Sequence, residues 1–182
     1  MATYLDRILE HHRERARADG RSDSEVMEAV AAAAPPRGFV RSLEGRGTLA
    51  VISEVKRRSP SKGPLAEDLD PAELARSYES AGAACLSVLT DEAHFGGSAS
   101  DLVAARAATA LPVLRKDFTV CARDVLDARA MGAGAVLLIV AALSDAELGE
   151  FDSLAAEVGL DVLVEVHDEG ELERALRNTR GS

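Results

Sequence analysis

Five times along this chain a short β-branched, apolar run gives way to a helical pattern, and that strict alternation leaves few folds open. The runs are Leu49 to Val55, Ala84 to Leu89, Pro112 to Arg115, Ala135 to Val140 and Asp161 to Val166. Sequential β-α units imply parallel strands with right-handed crossovers, in an open doubly wound sheet or in a closed (β/α)8 barrel. Strands buried on both faces are expected to be nearly pure Val, Ile and Leu. Here the first, third and fifth runs close instead on Glu54-Val55-Lys56, Arg115-Lys116-Asp117 and Glu165. Charge at strand C-termini is where a barrel keeps its chemistry. An open nucleotide-binding sheet would carry G-x-G-x-x-G after its first strand, and Lys56-Arg57-Arg58-Ser59-Pro60-Ser61-Lys62-Gly63 stands there instead. The barrel is the expected fold.

Start and stop signals support the alternation. Asp70-Pro71 reads as an N-cap with proline at the first helical position, and Ser144 with Glu147 and Asp168 with Glu171 read as capping boxes. Gly82, Gly132 and Gly159 fall just past helix ends, where a left-handed residue is wanted. Ahead of the strands, Thr3 to Arg17 reads as an amphipathic helix with Leu5, Ile8 and Leu9 on one face. Asp23 to Ala34 reads as a second helix, ended by Pro35-Pro36.

Length then sets a limit. The five units average about 26 residues, so eight of them plus the leading helices need roughly 250 residues, the usual length of such barrels; the chain has 182. The expected organisation is a helical extension over residues 1–47, a partial barrel of about five strands and their helices over 48–176, and a divergent tail over 177–182. A barrel lacking its last three strands leaves two apolar strand edges unpaired, a known route to association. The expectation is self-association, or a complementing C-terminal segment from elsewhere.

Composition excludes other classes. A net charge of -10, with Lys and Arg interleaved among Asp and Glu, argues against a nucleic-acid surface. The longest apolar run, Ala133 to Leu143, is too short to span a bilayer, and residues 1–18 carry too much charge for a secretory segment. A cytoplasmic setting is expected. Cys85 and Cys121 form no CxxC and have no histidine at ligand spacing, so reduced thiols and no zinc site are expected.

Six segments in order resemble the indole-3-glycerol phosphate synthase family. They are Ser53-Glu54-Val55-Lys56-Arg57-Arg58-Ser59-Pro60-Ser61-Lys62-Gly63, similar to the family's E-x-K-x-x-S-P-S-x-G signature; Leu86 to Asp91 with Phe95-Gly96-Gly97-Ser98; Leu114-Arg115-Lys116-Asp117-Phe118; Ala128 to Ala133; Val136 to Val140; and Leu163-Val164-Glu165-Val166-His167. The resemblance runs from about Tyr4 to Leu176 and includes the leading helices. After Phe118 the chain reads Thr119-Val120-Cys121-Ala122-Arg123-Asp124, where family members commonly show an acidic-Pro-Tyr-Gln run.

The resemblance implies an enzyme, a carboxy-lyase of tryptophan biosynthesis. It would convert the phosphorylated small molecule 1-(2-carboxyphenylamino)-1-deoxyribulose 5-phosphate to indole-3-glycerol phosphate, with no metal or organic cofactor. Ring closure needs an acid at the ribulose carbonyl, and the later dehydration needs an acid for the departing hydroxyl and a base for a ring proton. By resemblance Lys116 is the acid of ring closure. Lys56 binds the anionic substrate and is a second candidate acid, the division of steps between the lysines staying open. Glu165 matches the general base and Glu54 the carboxylate that engages substrate and lysines. Ser59 would hold the substrate carboxylate and Phe118 would pack on its anthranilate ring. Independently, period 2 puts Glu54 and Lys56 on one face of the first strand, and Leu114, Lys116 and Phe118 on one face of the third.

Plainer readings stand beside these. A lysine ending a strand is ordinarily a solvated cap, Glu165 between two valines fits a structural ion pair, and Ser59-Pro60-Ser61 fits a turn. The first loop is expected to be long and mobile. His167 reads as a loop residue, and His11 and His12 as a solvated helix surface. The family's sixth-strand asparagine, seventh-strand glutamate and serine, and phosphate-gripping seventh and eighth loops find no counterpart here. The alternative to an enzyme is therefore an inactive truncated barrel or interaction module without a phosphate site.

Overall fold

The computed structural model describes residues 3–44 and 47–180; Gly181 and Ser182 of the expected tail lie outside the described residues. Two helices lead, α1 (Tyr4–Arg17) and α2 (Asp23–Ala32), followed by the short α3 (Phe39–Leu43). Capping boxes open both longer helices: the Thr3 and Ser22 hydroxyls accept from the Asp6 and Glu25 N–H groups, and each acid answers the cap's own N–H. Helix α2 stops short of Ala34 because Ala33 is already extended (ψ 141°), as residues approaching a proline tend to be.

The alternating part comprises β1 (Ile52–Val55), a hairpin of β2 (Arg58–Ser59) and β3 (Gly63–Pro64), α4 (Pro71–Ser80), β4 (Cys85–Leu89), α5 (Glu92–Phe95), α6 (Ala99–Ala108), β5 (Val113–Lys116), α7 (Ala122–Ala130), β6 (Ala135–Ile139), a 3-10 turn at Val140–Ala142, α8 (Asp145–Glu157), β7 (Asp161–Glu165) and α9 (Glu169–Asn178). The main sheet is parallel throughout in the order β1-β4-β5-β6-β7. Spatial order thus equals chain order. A doubly wound sheet would reverse at a switch point; continuous winding is that of a barrel, here a partial (β/α)8 barrel with five strands.

Burial follows the expected gradient. Every residue of β4 and β6, flanked on both sides, is buried, whereas β1 pairs only with β4 and β7 only with β6 among the described residues, and β7 is half-buried along its length. Val51 and Ile52 at the β1 edge are exposed, as are Leu172 and Leu176 on the helix that follows β7, Leu176 by 72%. The leading helices are tied to the barrel by polar bonds: Asp161 of β7 accepts from the Phe39 and Val40 N–H groups, and Arg37 donates to the carbonyls of Arg106, Thr109 and Leu111. No helix among the described residues is long and apolar enough to cross a membrane.

Several local expectations change. The first strand begins at Ile52, not Leu49, and Leu49 is 88% exposed. The sheet reaches back only as far as the Val51 carbonyl, which accepts from the Ala84 N–H. The first loop, expected to be long and mobile, carries a two-stranded hairpin. Its turn uses Gly63 at φ 69°, and Arg57 pins its return by donating to the Glu67 and Leu69 carbonyls and pairing with Asp101 at 2.9 Å. Helix α9 continues to Asn178, into the segment expected to diverge. There Asn178 Nδ2 and Thr179 Oγ1 donate to the Arg174 and Ala175 carbonyls, satisfying acceptors a helix end leaves open. At its start Asp168 caps the Glu171 N–H as expected, but the Glu171 carboxylate turns to the His167 N–H instead of completing a box.

Candidate active site

In parallel strands all C-termini lie at one end of the sheet, and a side chain reaches a given face every second residue. A cavity of about 380 Å³ opens at that end, and each of the five strands or its first following residues supplies an i, i+2 pair to it: Glu54 and Lys56, Leu89 and Asp91, Lys116 and Phe118, Leu137 and Ile139, Glu165 and His167. Asp117 lines it as well, and Tyr4, Leu5 and Ile8 of α1 complete the wall. The expected face assignments for Glu54 with Lys56 and for Lys116 with Phe118 therefore converge on one space.

Two ion pairs stand in it. Lys116 Nζ donates to Glu165 Oε2 at 2.7 Å, and Lys56 Nζ donates to Glu54 Oε1. All four side chains are between a quarter and just over a third exposed. They are accessible to a ligand yet partly removed from water, where charge-assisted bonds orient strongly. His167 reaches toward Glu165 from the rim, with Nε2 3.6 Å from Oε1, while Nδ1 lies 3.1 Å from Glu171. Phe118 presents its ring beside Phe95, centroids 6.3 Å apart, which makes one wall flat and apolar. Ser59 is placed differently. It sits in the β2–β3 hairpin, its hydroxyl accepts from the Lys62 N–H at 3.2 Å, and it is not among the residues lining the cavity.

Behind the lysine-bearing strand end lies a buried polar frame. Arg115, 3% exposed, donates to Asp117 at 2.8 Å and to the Asp124 carbonyl, and Thr90 Oγ1 donates to the same Asp117 oxygen at 2.6 Å. Asp117 also accepts from the Phe118 N–H. A buried arginine is tolerated because its donors are matched, and the match fixes the backbone on either side of Lys116.

A second frame holds α1 against the barrel, and it corrects one expectation. His12 is not on a solvated helix surface: it is 1% exposed, and its Nε2 lies 2.7 Å from Asp91 Oδ2. Asp91 also accepts from His94 Nδ1 at 2.9 Å and from the His94 and Phe95 N–H groups. Burial works to raise the Asp91 carboxyl, but these hydrogen bonds outweigh it and hold the group well below the usual carboxylate range. The loop that follows is equally constrained. Gly97 donates to the Asp91 carbonyl, and a Cβ at that position would run into the Leu89 carbonyl at the end of β4. The glycine in Phe95-Gly96-Gly97-Ser98 is thus dictated by backbone-to-backbone approach.

Sequence reasoning did not foresee Asp91, Asp117 and Tyr4 in the lining. The signal available for α1 was its own apolar face, since Leu5, Ile8 and Leu9 recur at helical spacing.

The model of the family described as indole-3-glycerol phosphate synthase matches residues 5–180. Indole-3-glycerol phosphate synthase of Hyphomonas neptunium is 48% identical over 97% of this chain and 69% of the relative; that of Acidithiobacillus ferrooxidans is 50% identical with the same coverage. The Bordetella pertussis relative is 52% identical over 86% of the chain and 61% of its own length. The chain thus spans about 60–70% of the length of these relatives. Among solved structures, a mandelate oxidase variant superimposes with a TM-score of 0.50 at 20% identity, over 67% of this chain and 44% of that one. At that identity the likeness speaks to the fold alone.

Proposed function

The chain belongs to the indole-3-glycerol phosphate synthase family, and from that premise we propose that this cavity carries the family's reaction, closing the pyrrole ring of 1-(2-carboxyphenylamino)-1-deoxyribulose 5-phosphate with loss of carbon dioxide and water. The observation that carries the reading is the Lys116–Glu165 pair, 2.7 Å apart at the mouth of the cavity with Glu54 and Lys56 opposite and the Phe118 ring beside it.

In this reading the anthranilate ring lies against Phe118, and Lys116 hands a proton to the ribulose carbonyl oxygen as the ring carbon attacks. Carbon dioxide then leaves from that ring carbon. A lysine protonates the departing hydroxyl, and Glu165 takes the ring proton as the indole becomes aromatic, so one proton is given and one recovered in the dehydration. Lys56, oriented by Glu54, holds the substrate's anionic groups and is the second acid. Ser59 reaches the substrate carboxylate in this proposal by moving with its hairpin. Among the described residues its hydroxyl is engaged by a neighbouring backbone N–H at 3.2 Å, a bond easily exchanged.

The open edges of β1 and β7, with Leu172 and Leu176 exposed on the helix that follows β7, support a second statement: the working protein pairs these edges, by self-association or with a complementing C-terminal segment. The proposed setting is the cytoplasm, supported by membership of a biosynthetic enzyme family. The same edges favour a second reading, an interaction module without turnover. The deciding experiment is a fluorescence assay for indole-3-glycerol phosphate with the purified chain, alone and mixed with the C-terminal part of a relative. Turnover abolished by Lys116→Ala supports the enzyme; none in either sample, both shown to be folded, leaves the interaction module.

A further inference from the structure

Two imidazoles from different elements converge on one carboxylate at the junction of α1 with the barrel. His12 Nε2, His94 Nδ1 and a carboxylate oxygen of Asp91 all lie within 4.8 Å of one another, His12 and Asp91 being 1% exposed. We infer that His12, Asp91 and His94 form a binding site for a divalent transition metal of the zinc class, which staples α1 to the C-terminal end of β4.

Each donor is already aimed. Asp91 Oδ1 is held by the His94 and Phe95 N–H groups, leaving Oδ2 to face both rings, at 2.7 Å from His12 and 2.9 Å from His94. Zinc bonds of about 2.0–2.1 Å in a tetrahedron put donor atoms roughly 3.3 Å apart. The site therefore reaches coordination geometry by small side-chain shifts without backbone rearrangement. Two imidazoles and one carboxylate select zinc, cobalt or nickel over magnesium and calcium, which want oxygen throughout. The charge balance is also suitable. Asp117 Oδ1 lies 3.8 Å from His12 Nε2, and while Arg115 pairs with Asp117, the ion-pair partners of Asp91 among the described residues are the two imidazoles themselves. The fourth position falls to water or to His11, whose ring centroid is 5.6 Å from that of His94.

One feature limits the affinity. Metal on His12 Nε2 requires the proton on Nδ1, and that buried nitrogen has no hydrogen-bond partner among the described residues. Metal-bound histidines usually have such a partner, whose loss costs about 10–100-fold, so the expected dissociation constant is on the order of micromolar rather than tighter. Because Tyr4, Leu5 and Ile8 of the same helix wall the cavity, a metal here fixes that wall from outside the lysine and glutamate pairs.

The test is a titration of chelator-treated full chain with cobalt(II), read by visible absorption and repeated in competition with zinc. Thermal unfolding is followed in parallel. Expected are one equivalent bound, intense tetrahedral bands removed by zinc, a rise in melting temperature of about 5 °C at saturating metal, and binding weakened at least about 10-fold in both His94→Ala and Asp91→Asn. His94 lies at the edge of the frame, so its variant remains testable if the Asp91 one unfolds. Absence of stoichiometric binding up to millimolar metal, or binding of equal strength in a folded His94→Ala protein, which would assign it to surface histidines such as His11 or His167, overturns the inference.

Discussion

Lys116 and Glu165 meet across an intervening strand. They stand on β5 and β7, which do not pair; β6 lies between, and the two side chains close over its end to 2.7 Å. With strands about 4.8 Å apart, each side chain spans roughly one strand spacing. The two are staggered: Arg115 pairs with Val136, so Lys116 stands level with Leu137 and its partner Leu163, and Glu165 lies two residues further along β7 on the same face, so the side chains reach along the strands as well as across β6. A one-residue slip of β7 would turn Glu165 to the other face.

Lys116→Ala should lower turnover by about 10²–10⁴-fold, the usual contribution of a positioned acid. The Lys116 side chain is 27% and that of its partner Glu165 35% exposed, so the carboxylate left without Lys116 still meets water and stability should change by less than about 1 kcal/mol. The check is single-turnover formation of the fluorescent product in the complemented protein. A near parental rate would remove Lys116 from the mechanism.

Glu165→Gln separates orientation from proton transfer. The amide keeps the shape and still accepts from Lys116, so substrate affinity should hold, while the base for the ring proton is lost and kcat falls about 10²-fold or more. A rise in KM at unchanged kcat would instead mark Glu165 as a binding group.

The parallel strands and the charged ends were legible because they violate a strong expectation: strand interiors buried on both faces exclude charge, so Glu54, Lys56, Lys116 and Glu165 stood out. Helix starts after the strands were legible locally, the Asp70, Ser144 and Asp168 caps being chemistry of three or four consecutive residues. His12 was not. Its burial depends on Asp91, 79 positions away, and amphipathic periodicity scores a histidine as polar wherever it points. The hairpin at Arg58 and Gly63 was missed because two-residue strands have no period to detect.

Asp91 should leave a signature on the acid side. Its folded carboxyl lies below the ordinary 3.8, so as pH falls the unfolded chain takes up the proton first. The stability this group contributes is whole above about pH 4 and is lost progressively as pH drops toward the lowered folded value. Asp91→Asn should therefore be less stable at pH 7, and its urea midpoint should decline less between pH 5 and pH 3 than that of the parent. Parallel declines would dissociate Asp91 from acid unfolding.

Gly97→Ala tests whether the turn after β4 is set by sterics. The added methyl meets the Leu89 carbonyl, a backbone atom inside the sheet that cannot swing aside. A cost of about 1–3 kcal/mol is expected from such overpacking. Gly20→Ala, with nothing near its Cβ direction, is the control and should be nearly neutral. Equal urea midpoints for the two variants would reject the steric account.

The open edges make the strongest solution-state prediction. An edge strand offers unpaired N–H and C=O groups to any partner, and proteins usually guard it with charge, proline or a bulge. Here β1 carries Ile52 at 40% exposure, and near β7 the last helix leaves Leu172 and Leu176 at 46% and 72%. Apolar side chains on that scale, beside open edges, should drive association of the isolated chain at micromolar concentration. Sedimentation velocity should show mass above that of one chain, rising with concentration. Ile52→Lys with Leu176→Glu should shift the distribution toward monomer, because burying either charge in the new contact costs more than the lost apolar area returns. A C-terminal segment from a relative, if it takes the same edges, should do so without mutation. A monodisperse, cooperatively unfolding monomer in the absence of any partner would mean that the edges are protected in another way, and that pairing is no part of how this chain works.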